Sequence, residues 1–440
     1  MKYYCLGIKG TGMSALAQIL YDLGNEVSGF DDLKEYKFTQ DGLEKRNIPI
    51  YYDGTHAIDN DTIVTYSAAF GDDHPELMRV KKLGLKIKKY NELMGDIIDQ
   101  FETIGVSGTH GKTTTSSIIK HILEKTVGCN YFIGAGDGYV SKSNKYYVVE
   151  SDEFNRHFTA YHPVYAVITN IDAEHLECYK DLDDIIDTFS LFANQTKKLI
   201  VANGDNESVR KIVYHNIKFY GFNKENDVVI KDVHSNEKGS FFELYEKNHL
   251  LGEFFVPLYG NHMIMDATAA ILICFNLGIS YEDIYNNLLT FTNAKRRFSE
   301  EKIKDVIIID DYAHHPTEIR ATLEAAKEKY PNKKLIAVFM PNTYSRTKDF
   351  LQEFISSFHM ADFTYLTEIN SDREKQEDYP DISSHLIIDR LESADIIDEN
   401  CIDKLLKYKD CVICFMSCAH IEELINKFKS CLENDQRDLS

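Results

Sequence analysis

The stretch Glu102–Thr126 reads ETIGVSGTHGKTTTSSIIKHILEKT and predicts a strand, a loop and a helix in that order. It opens with a short β-branched run, and apolar residues recur at helical spacing after Lys112. The glycines between Gly105 and Gly111 let backbone N–H groups turn inward. This order is typical of an α/β fold in which a loop at the end of a buried strand holds a ligand.

The loop contains the residue types that bind a nucleoside triphosphate. The residues that we expect at the phosphates are Gly108, Thr109, His110, Gly111, Lys112, Thr113 and Thr114. Lys112 would supply positive charge to the outer phosphates, and the Thr113 hydroxyl is placed for Mg²⁺. The loop departs from the strict pattern because Val106 stands where the first glycine belongs. We still expect the chain to bind ATP or GTP.

The composition is that of a globular protein with an acidic surface. The 440 residues are enough for about two to four domains. The chain has 49 Lys and Arg against 70 Asp and Glu, and its net charge of −21 argues against nucleic acid and anionic membranes as partners. An odd number of cysteines, nine, and a first segment without a long apolar run predict a reduced, cytoplasmic protein.

A second glycine turn lies near the N-terminus, between a predicted strand and a predicted helix. Gly7, Gly10 and Gly12 fall near the dinucleotide-binding fingerprint, but Lys9 stands where its second glycine belongs. Asp31 ends the next strand about twenty residues on, where a ribose-binding carboxylate would lie. A diphosphate ligand is the favoured interpretation, and a nicotinamide cofactor is the alternative.

The rest of the first hundred residues continues a parallel sheet. Thr62–Ala69 is a predicted third strand, and Pro75–Lys82 is a predicted helix. Ser67 stands at the end of that strand, where open α/β sheets bind ligands, although it could be an ordinary strand-end serine. A short helix over Asn91–Gln100 would lead into the next domain.

Three strands follow the phosphate loop, and each ends in polar residues. Glu150 ends one strand and His175 follows the next, so both are expected beside the phosphates. Hard oxygen ligands such as Glu150 suit Mg²⁺, whereas strand-end acids can also be helix caps or solvated. FYGF, FFELYEK and GEFFVPLYGNH are predicted as short antiparallel strands, and a helix is predicted over Met263–Gly278.

The C-terminal third predicts a second doubly wound parallel sheet. Strand, turn and helix repeat from DVIIIDDYAHHPTEIR onward, and a helix is expected to start at Pro316. Two adjacent arginines, Arg296 and Arg297, precede the first strand of this sheet. They are interpreted either as a phosphate clamp or as a solvated pair. Cys411, Cys414 and Cys418 are assigned to the apolar run VICFM, and so to a buried strand of the core rather than to a metal cluster.

Together these motifs resemble those of the Mur ligases, ATP-dependent amide-bond-forming enzymes of peptidoglycan synthesis. The similar segments are GIKGTGMSALA (Gly7–Ala17), GTHGKTTT (Gly108–Thr115), ESDEF (Glu150–Phe154), TNIDAEH (Thr169–His175), RRF (Arg296–Phe298), DDYAHHPTEI (Asp310–Ile319) and SRT (Ser345–Thr347). The chain departs from the family pattern at His262, Met263 and Asp266, where the family has His-Asn and a second Asn, and at Pro341–Thr343, where it has Pro-His-Arg.

The resemblance implies three α/β domains that open and close. They are a Rossmann-like, UDP-sugar-binding domain over 1–100, a central ATP-binding phosphate-loop domain over 101–295 and a Rossmann-like ligase domain over 296–440. The implied reaction joins L-alanine to the lactyl carboxylate of UDP-N-acetylmuramate through an acyl phosphate, with ATP and Mg²⁺.

The resemblance also implies roles for particular residues. Lys112, Glu150 and His175 would be catalytic, and Thr113, Glu150 and His175 would hold metal. The UDP-sugar would contact Gly10, Thr11, Gly12, Asp31 and Ser67. Arg297, Asp311 and His315 would reach the nucleotide, and Tyr344 and Arg346 the amino acid.

Two other functions remain open on the sequence alone. One is a murein tripeptide ligase of the same family, which attaches a peptide in recycling. The other is a nucleotide-binding module that ligates nothing. Only small-molecule substrates are expected as partners, and the chain is expected to be a monomer or a homodimer.

Overall fold

A computed structural model of the chain describes residues 1–67, 70–134, 137–175, 178–236, 238–294, 296–371 and 374–434. Ala69, the predicted end of the third strand, and residue 295, at a predicted domain boundary, lie outside these ranges. The chain divides into two compact units. The first comprises Met1–Asp232, Phe242–Phe255 and Met265–Phe291, and the second comprises Val233–Phe241, Val256–Ile264 and Thr292–Ser440.

The N-terminal sheet has five parallel strands in the order β3-β2-β1-β4-β5. Its elements are β1 (Lys2–Leu6), α1 (Thr11–Asp22), β2 (Glu26–Phe30), α2 (Gln40–Glu44), β3 (Ile50–Tyr51), β4 (Thr62–Tyr66), α3 (Pro75–Lys82), β5 (Lys86–Lys89) and α4 (Tyr90–Ile98). The helix predicted from Pro75 is confirmed with the same bounds, because a proline is well placed in a first turn and His74 caps the Glu76 N–H.

The central sheet has ten strands in the order β15-β14-β13-β12-β11-β10-β6-β9-β7-β8. Its elements are β6 (Glu102–Ser107), α5 (Lys112–Thr126), β7 (Cys129–Ile133), β8 (Asp137–Tyr139), β9 (Tyr146–Glu150), β10 (Tyr165–Ile168), α6 (Leu182–Gln195), β11 (Leu199–Asn203), β12 (Ile217–Gly221), β13 (Val228–Asn236), β14 (Gly239–Glu246), β15 (His249–Val256), α7 (Asn261–Asn276) and α8 (Tyr281–Leu288). Short 3₁₀ helices cover Phe154–Ala160 and Val209–Lys211.

One strand direction predicted from the sequence is wrong in this sheet. The segment FYGF lies in β12, which runs parallel to β11 and to β13 instead of antiparallel. The connection from β11, residues 204–216, is long enough to cross back before the next strand begins. The strand, loop and helix predicted around the phosphate loop are confirmed as β6 and α5.

The C-terminal sheet has six strands in the order β16-β17-β21-β18-β19-β20. Its elements are β16 (Ser299–Ile303), β17 (Val306–Asp311), α9 (Pro316–Lys329), β18 (Lys334–Phe339), α10 (Tyr344–Asp349), α11 (Leu351–Ser357), β19 (Phe363–Leu366), α12 (His385–Ile388), β20 (Ala394–Ile396), β21 (Cys411–Met416) and α13 (Glu422–Asn434). Two further 3₁₀ helices cover Gln376–Asp378 and Glu399–Lys407.

This sheet confirms the predicted doubly wound arrangement except at one edge. β16 pairs antiparallel with β17, and the other pairings are parallel. Only two residues, Lys304 and Asp305, separate β16 from β17. So short a connection can only reverse the chain direction.

The cysteines of β21 are core residues, as predicted. Cys411 and Cys414 are fully buried, and burial raises the pKa of the Cys411 thiol to about 12. Cys418 lies beyond the strand and is half-buried, so its assignment to the core is wrong. Among the described residues no cysteine forms a disulfide.

Side chains from the N-terminal and central sheets share one buried cluster. Leu16 of α1 and Met94 of α4 belong to it together with Tyr147, Ile168 and Phe189 of the central sheet and its helix α6. The glycine turn before α1 and the phosphate loop are therefore held within one compact unit. No helix in the described part of the chain is long and apolar enough to cross a bilayer.

Candidate active site

The phosphate loop follows β6, which lies between β9 and β10. Two of its glycines have positive φ, +139° at Gly108 and +82° at Gly111. A Cβ at Gly108 would collide with Thr169, and one at Gly111 would collide with the Asp266 carboxylate. The loop can take this path only with glycine at both positions.

Residues that follow β10 hold the phosphate loop in place. The Thr109 N–H donates to the Asn170 carbonyl at 3.1 Å, and the His110 N–H donates to Asn170 Oδ1 at 2.8 Å. The Asn170 amide donates back to the His110 carbonyl at 3.0 Å. The Asp172 N–H donates to Thr109 Oγ1 at 2.9 Å. The neighbouring strand thus shapes the loop through Asn170, which the sequence analysis did not single out.

Lys112, the first residue of α5, is ion-paired with Glu153. Its Nζ donates to the two carboxylate oxygens at 2.8 and 3.0 Å and to the Gly108 carbonyl at 2.5 Å. Glu153 is 2% exposed, and its backbone carbonyl accepts a hydrogen bond from the Tyr179 hydroxyl. Glu153 is therefore a buried member of the site that the sequence analysis missed.

Carboxylates outnumber cations around Lys112. Burial lowers the pKa of Lys112, but Glu153 and Asp152 outweigh that effect and raise the pKa above its ordinary value. Burial raises the pKa of Glu153, Lys112 opposes the rise, and Asp152 adds to it. An excess of negative charge at a phosphate-binding loop suits a site that takes up a metal ion with its phosphates.

Glu150 and Thr113 bring oxygen atoms together at the start of α5. Glu150 ends β9 and is paired in register with Val106 of β6. Its Oε1 accepts from the Thr113 hydroxyl at 3.0 Å, and its Oε2 accepts from the Gly134 N–H at 2.8 Å. Such hard oxygen donors fit Mg²⁺. Within the described ranges no three His, Cys, Asp or Glu side chains are grouped to hold a metal, so an ion here would also need ligand phosphates.

His175 lies beside Glu153. Its Nε2 is 3.7 Å from Glu153 Oε1, and its ring packs edge-on against Phe154 with centroids 5.1 Å apart. The residue has a φ of +58°, which is uncommon outside glycine. The structure thus places His175 next to Glu153, the carboxylate that is paired with Lys112. The role of His175 as a metal ligand stays a prediction.

The N-terminal glycine turn joins β1 to α1. Gly10 is the N-cap of α1, and without a side chain it leaves the N–H groups of Thr11 and Gly12 open to an anion. Gly7 has a φ of +75°, and a Cβ there would lie 2.8 Å from the Ser67 hydroxyl. The predicted UDP-sugar residues of the turn and Ser67 are therefore neighbours.

Asp31 and Lys9 brace this turn. Asp31 is 6% exposed, its Oδ2 accepts from the Lys9 N–H at 2.9 Å, and its Oδ1 accepts from the Leu33 N–H at 3.1 Å. The fully buried Lys9 ammonium donates to the carbonyls of Leu33 at 2.8 Å and Glu35 at 2.5 Å. Both Asp31 oxygens are engaged within the protein, and its contact with a sugar nucleotide stays a prediction.

In the second unit, Asp311 organises the segment that carries Arg297. Its Oδ2 accepts from the Phe298 N–H at 2.6 Å. Its Oδ1 accepts from the Ala313 N–H at 2.8 Å and the Thr322 hydroxyl at 3.2 Å. Burial raises the pKa of Asp311, and the Arg297 charge opposes this rise. Asp311 therefore fixes the backbone next to Arg297.

The two adjacent arginines have different surroundings. Arg296 is ion-paired with Asp310 at 3.4 Å and Glu422 at 2.8 Å. Arg297 lies over the ring of Tyr312, with its guanidinium carbon 4.9 Å from the ring centroid. Arg296 is used within the fold, and a nucleotide contact stays a prediction for Arg297.

His315 is the N-cap of α9. Its Nδ1 accepts from the Thr317 N–H at 3.4 Å, and its ring packs edge-on against Phe350 at 4.9 Å. The side chain is 5% exposed. The structure thus uses the predicted nucleotide residue as a helix cap, and its contact with a nucleotide stays a prediction.

Tyr344 and Arg346 lie at the start of the short helix α10. The N–H groups of Tyr344 and Ser345 both donate to Glu374 Oε2, at 2.6 and 3.1 Å. The Arg346 guanidinium donates to Asn342 Oδ1 at 2.8 Å. Asn342, one of the departures from the family pattern, therefore orients the predicted amino-acid-binding arginine.

The departures in α7 also have defined surroundings. In the first unit, the Asp266 carboxylate lies against Gly111 of the phosphate loop. In the second unit, burial lowers the pKa of His262 to about 4, so the imidazole is neutral at neutral pH. A carboxylate only accepts hydrogen bonds, so Asp266 lacks the donor that an asparagine would offer at the loop.

Three family models match the chain in succession: "Mur ligase family, catalytic domain" over residues 2–102, "Mur ligase middle domain" over 106–274 and "Mur ligase, glutamate ligase domain" over 296–418. UDP-N-acetylmuramate–L-alanine ligase of Lactiplantibacillus plantarum is 41% identical to the chain over 424 residues, 96% of each chain. The chain belongs to the Mur ligase family. The ligase of the same name from Lacticaseibacillus paracasei is 40% identical over 436 residues, 98% of this Mur ligase and 99% of that protein.

Solved structures of Mur ligases share the fold. The UDP-N-acetylmuramate–alanine ligase of Thermotoga maritima superposes with a TM-score of 0.79 at 24% identity and 98% coverage of each chain. A murein peptide ligase from Psychrobacter arcticus superposes with a TM-score of 0.69 at 21% identity and 99% coverage. The predicted three-domain α/β architecture of a Mur ligase is therefore confirmed, while the boundaries at residues 100 and 295 stay predictions.

Proposed function

We propose that this Mur ligase joins the amine of L-alanine to the lactyl carboxylate of UDP-N-acetylmuramate and converts ATP to ADP and phosphate. The observation that carries the proposal is the 40–41% identity, over nearly the whole chain, to ligases named for this reaction. The phosphate loop and the carboxylates beside it supply the chemistry that the reaction needs.

The reaction has two displacement steps. A carboxylate oxygen of the substrate attacks the γ-phosphorus of ATP, the bond to the β-phosphate oxygen breaks, and an acyl phosphate and ADP form. The alanine amine then attacks the acyl carbon, loses a proton and expels phosphate through a tetrahedral intermediate. Both steps bring anions together, so positive charge and hydrogen-bond donors determine the rate.

Lys112 and the loop from Gly108 to Thr114 would bind the triphosphate. The ammonium of Lys112 stands at the loop already, paired with Glu153 and the Gly108 carbonyl. Phosphate oxygens of ATP would compete with Glu153 and the Gly108 carbonyl for the Lys112 ammonium, which would then offset part of their negative charge. Lys112 is therefore the residue that we propose to stabilise the charge on the transferring phosphoryl group.

Thr113 and Glu150, with His175, are the residues that we propose to hold Mg²⁺. The Thr113 hydroxyl and Glu150 oxygen that lie 3.0 Å apart would face the same ion. When bound, Mg²⁺ would supply positive charge that offsets part of the charge of the phosphates. His175, whose Nε2 lies 3.7 Å from Glu153 Oε1, would act toward the carboxylate substrate.

The glycine turn before α1 would receive the diphosphate of UDP-N-acetylmuramate. Gly10, Thr11 and Gly12 offer the N-terminus of a helix of 12 residues, where N–H groups and the helix dipole favour anions. Ser67 adds a hydroxyl at the same turn, and Asp31 would act at the ribose.

The second unit supplies the remaining proposed contacts. Arg297, Asp311 and His315 are proposed for the nucleotide, with Asp311 and His315 acting mainly by holding the backbone around Arg297 and α9. Tyr344 and Arg346 are proposed for L-alanine, whose carboxylate a guanidinium suits. We further propose a cytoplasmic protein that works as a monomer or a homodimer on small molecules.

The test is phosphate release from ATP and Mg²⁺ in the presence of UDP-N-acetylmuramate, with single amino acids or murein tripeptide added in turn. Release that requires both the sugar nucleotide and L-alanine is the expected result. Release with the tripeptide but not with L-alanine would reassign the chain to recycling. If phosphate is released neither with L-alanine nor with the tripeptide, the ligase function is contradicted altogether.

A further inference from the structure

Tyr90 stands at the glycine turn, although it is distant from it in sequence. It is the first residue of α4. A Cβ built on Gly12 would lie 2.8 Å from the Tyr90 hydroxyl oxygen and 3.2 Å from the ring carbon that bears it. The ring also packs near His157 and Phe132, with centroids 6.0 and 6.3 Å away. The phenol is thus fixed over the first turn of α1.

The Tyr90 hydroxyl has no hydrogen-bond partner among the residues that the structure describes, and the residue is half-buried. Burial, Tyr161 and the carboxylate of Asp152 raise the pKa of the phenol well above its ordinary value, with a smaller effect from Glu150. The hydroxyl therefore keeps its proton, and a ligand oxygen beside it would receive a hydrogen bond.

These positions place Tyr90 along the path of the substrate. The diphosphate is proposed at the N-terminus of α1, and the substrate carboxylate must reach the phosphates near Glu150. Tyr90 touches the first site, and its ring packs near Phe132, which is paired in register with Val149, the residue before Glu150. A sugar nucleotide that spans these two sites would bring its second phosphate and hexose past the Tyr90 hydroxyl.

The geometry points to Tyr90 as a substrate-binding residue whose hydroxyl donates a hydrogen bond to the sugar nucleotide beyond its first phosphate. This assignment rests on the proposed function, since it needs the sugar nucleotide at the glycine turn. It adds to the residues proposed above a contact from α4, the last helix before the phosphate-loop strand.

The test is calorimetric binding of UMP and UDP-N-acetylmuramate to the full chain and its Tyr90→Phe variant. The variant keeps the ring and loses one oxygen, so its Kd for UDP-N-acetylmuramate should rise about tenfold, as for a lost hydrogen bond to a charged group. Its Kd for UMP, which ends at the first phosphate, should be unchanged. KM for ATP and for L-alanine should also be unchanged.

The matched control is Tyr147→Phe. Tyr147 is fully buried near Tyr90, and its hydroxyl has no hydrogen-bond partner among the described residues. Its removal should leave both Kd values as they are. The assignment would be overturned if wild type and Tyr90→Phe bound UDP-N-acetylmuramate equally well. It would also be overturned if Tyr90→Phe lost as much affinity for UMP as for UDP-N-acetylmuramate, or if Tyr147→Phe lost as much affinity for UDP-N-acetylmuramate as Tyr90→Phe.

The same measurements separate this inference from the proposed function. If the wild type binds UDP-N-acetylmuramate but does not release phosphate with L-alanine, the proposed reaction fails while the effect of Tyr90→Phe can still be read. If the wild type does not bind UDP-N-acetylmuramate, both the reaction and the Tyr90 contact are refuted.

Discussion

Three carboxylates, those of Glu150, Asp152 and Glu153, act on the single positive charge of Lys112. Glu153 takes two of its hydrogen bonds, and Asp152 raises the pKa of both partners. Lys112 was predictable, because Gly-Lys-Thr between a strand and a helix is a known pattern. Glu153 was not, although it lies in the quoted ESDEF segment, because nothing local shows which of its acids turns toward a lysine of another element.

Replacing Lys112 tests the phosphate contact. Lys112→Ala removes the positive charge at the outer phosphates, so turnover in the phosphate-release assay should fall roughly 100-fold or more. Lys125→Ala is the control, since Lys125 lies on the same helix and donates to Thr290. Near-normal turnover of Lys112→Ala would refute its role.

Replacing Glu150 tests the metal contact. Glu150→Gln keeps the size of the side chain and loses its charge, so the Mg²⁺ concentration for half-maximal turnover should rise about tenfold or more. Glu124→Gln on α5 is the matched control, because that carboxylate pairs with Lys120 at 3.8 Å. A Mg²⁺ titration identical to that of the wild type would remove Glu150 from the metal site.

At the scale of elements, one buried ammonium joins the turn before α1 to the segment that follows β2. Lys9 departs from the dinucleotide-binding fingerprint, and its side chain donates to the carbonyls of Leu33 and Glu35. The Thr39 hydroxyl donates to the Lys9 carbonyl at 2.6 Å from the same segment. The Lys9 side chain thus holds the loop after β2 by hydrogen bonds that a glycine at this position could not form.

Replacing Lys9 tests this link. Lys9→Met fills the same space without donors and removes the charged hydrogen bonds to the carbonyls of Leu33 and Glu35, which should destabilise the chain by about 1–3 kcal/mol. Chymotrypsin should cut faster at Tyr36 and Phe38, which are exposed in the loop. Lys37→Met, at an exposed position of that loop, is the control. Equal cleavage and equal Tm in the two variants would show that Lys9 does not hold the loop.

At the scale of the whole molecule, the N-terminal sheet has an apolar cluster of its own on one face and shares the cluster on its other face with the central region. Leu16, Ile19 and Met94 are buried in the cluster that also contains Tyr147 and Phe189 of the central region. A fragment of residues 1–100 would expose this apolar surface to water. Binding of a UDP-sugar is therefore better measured on the full chain.

The fragment itself provides the test of the shared core. Residues 1–100 expressed alone should associate and show no cooperative thermal transition by circular dichroism, whereas the full chain should melt cooperatively. A monomeric fragment with a sharp transition would mean that the N-terminal sheet is stable without the central one.

The sequence by itself determined the α/β class, the phosphate loop, the strand ends that carry Glu150 and His175, and the family. Each depends on local periodicity or on residues close together in the chain, where backbone geometry leaves few choices. Only the tertiary structure decided that Glu153 holds Lys112, that Arg296 is used within the fold and that Tyr90 covers Gly12. Such contacts join residues far apart in the chain, so they follow from strand order and helix packing, which local patterns do not specify.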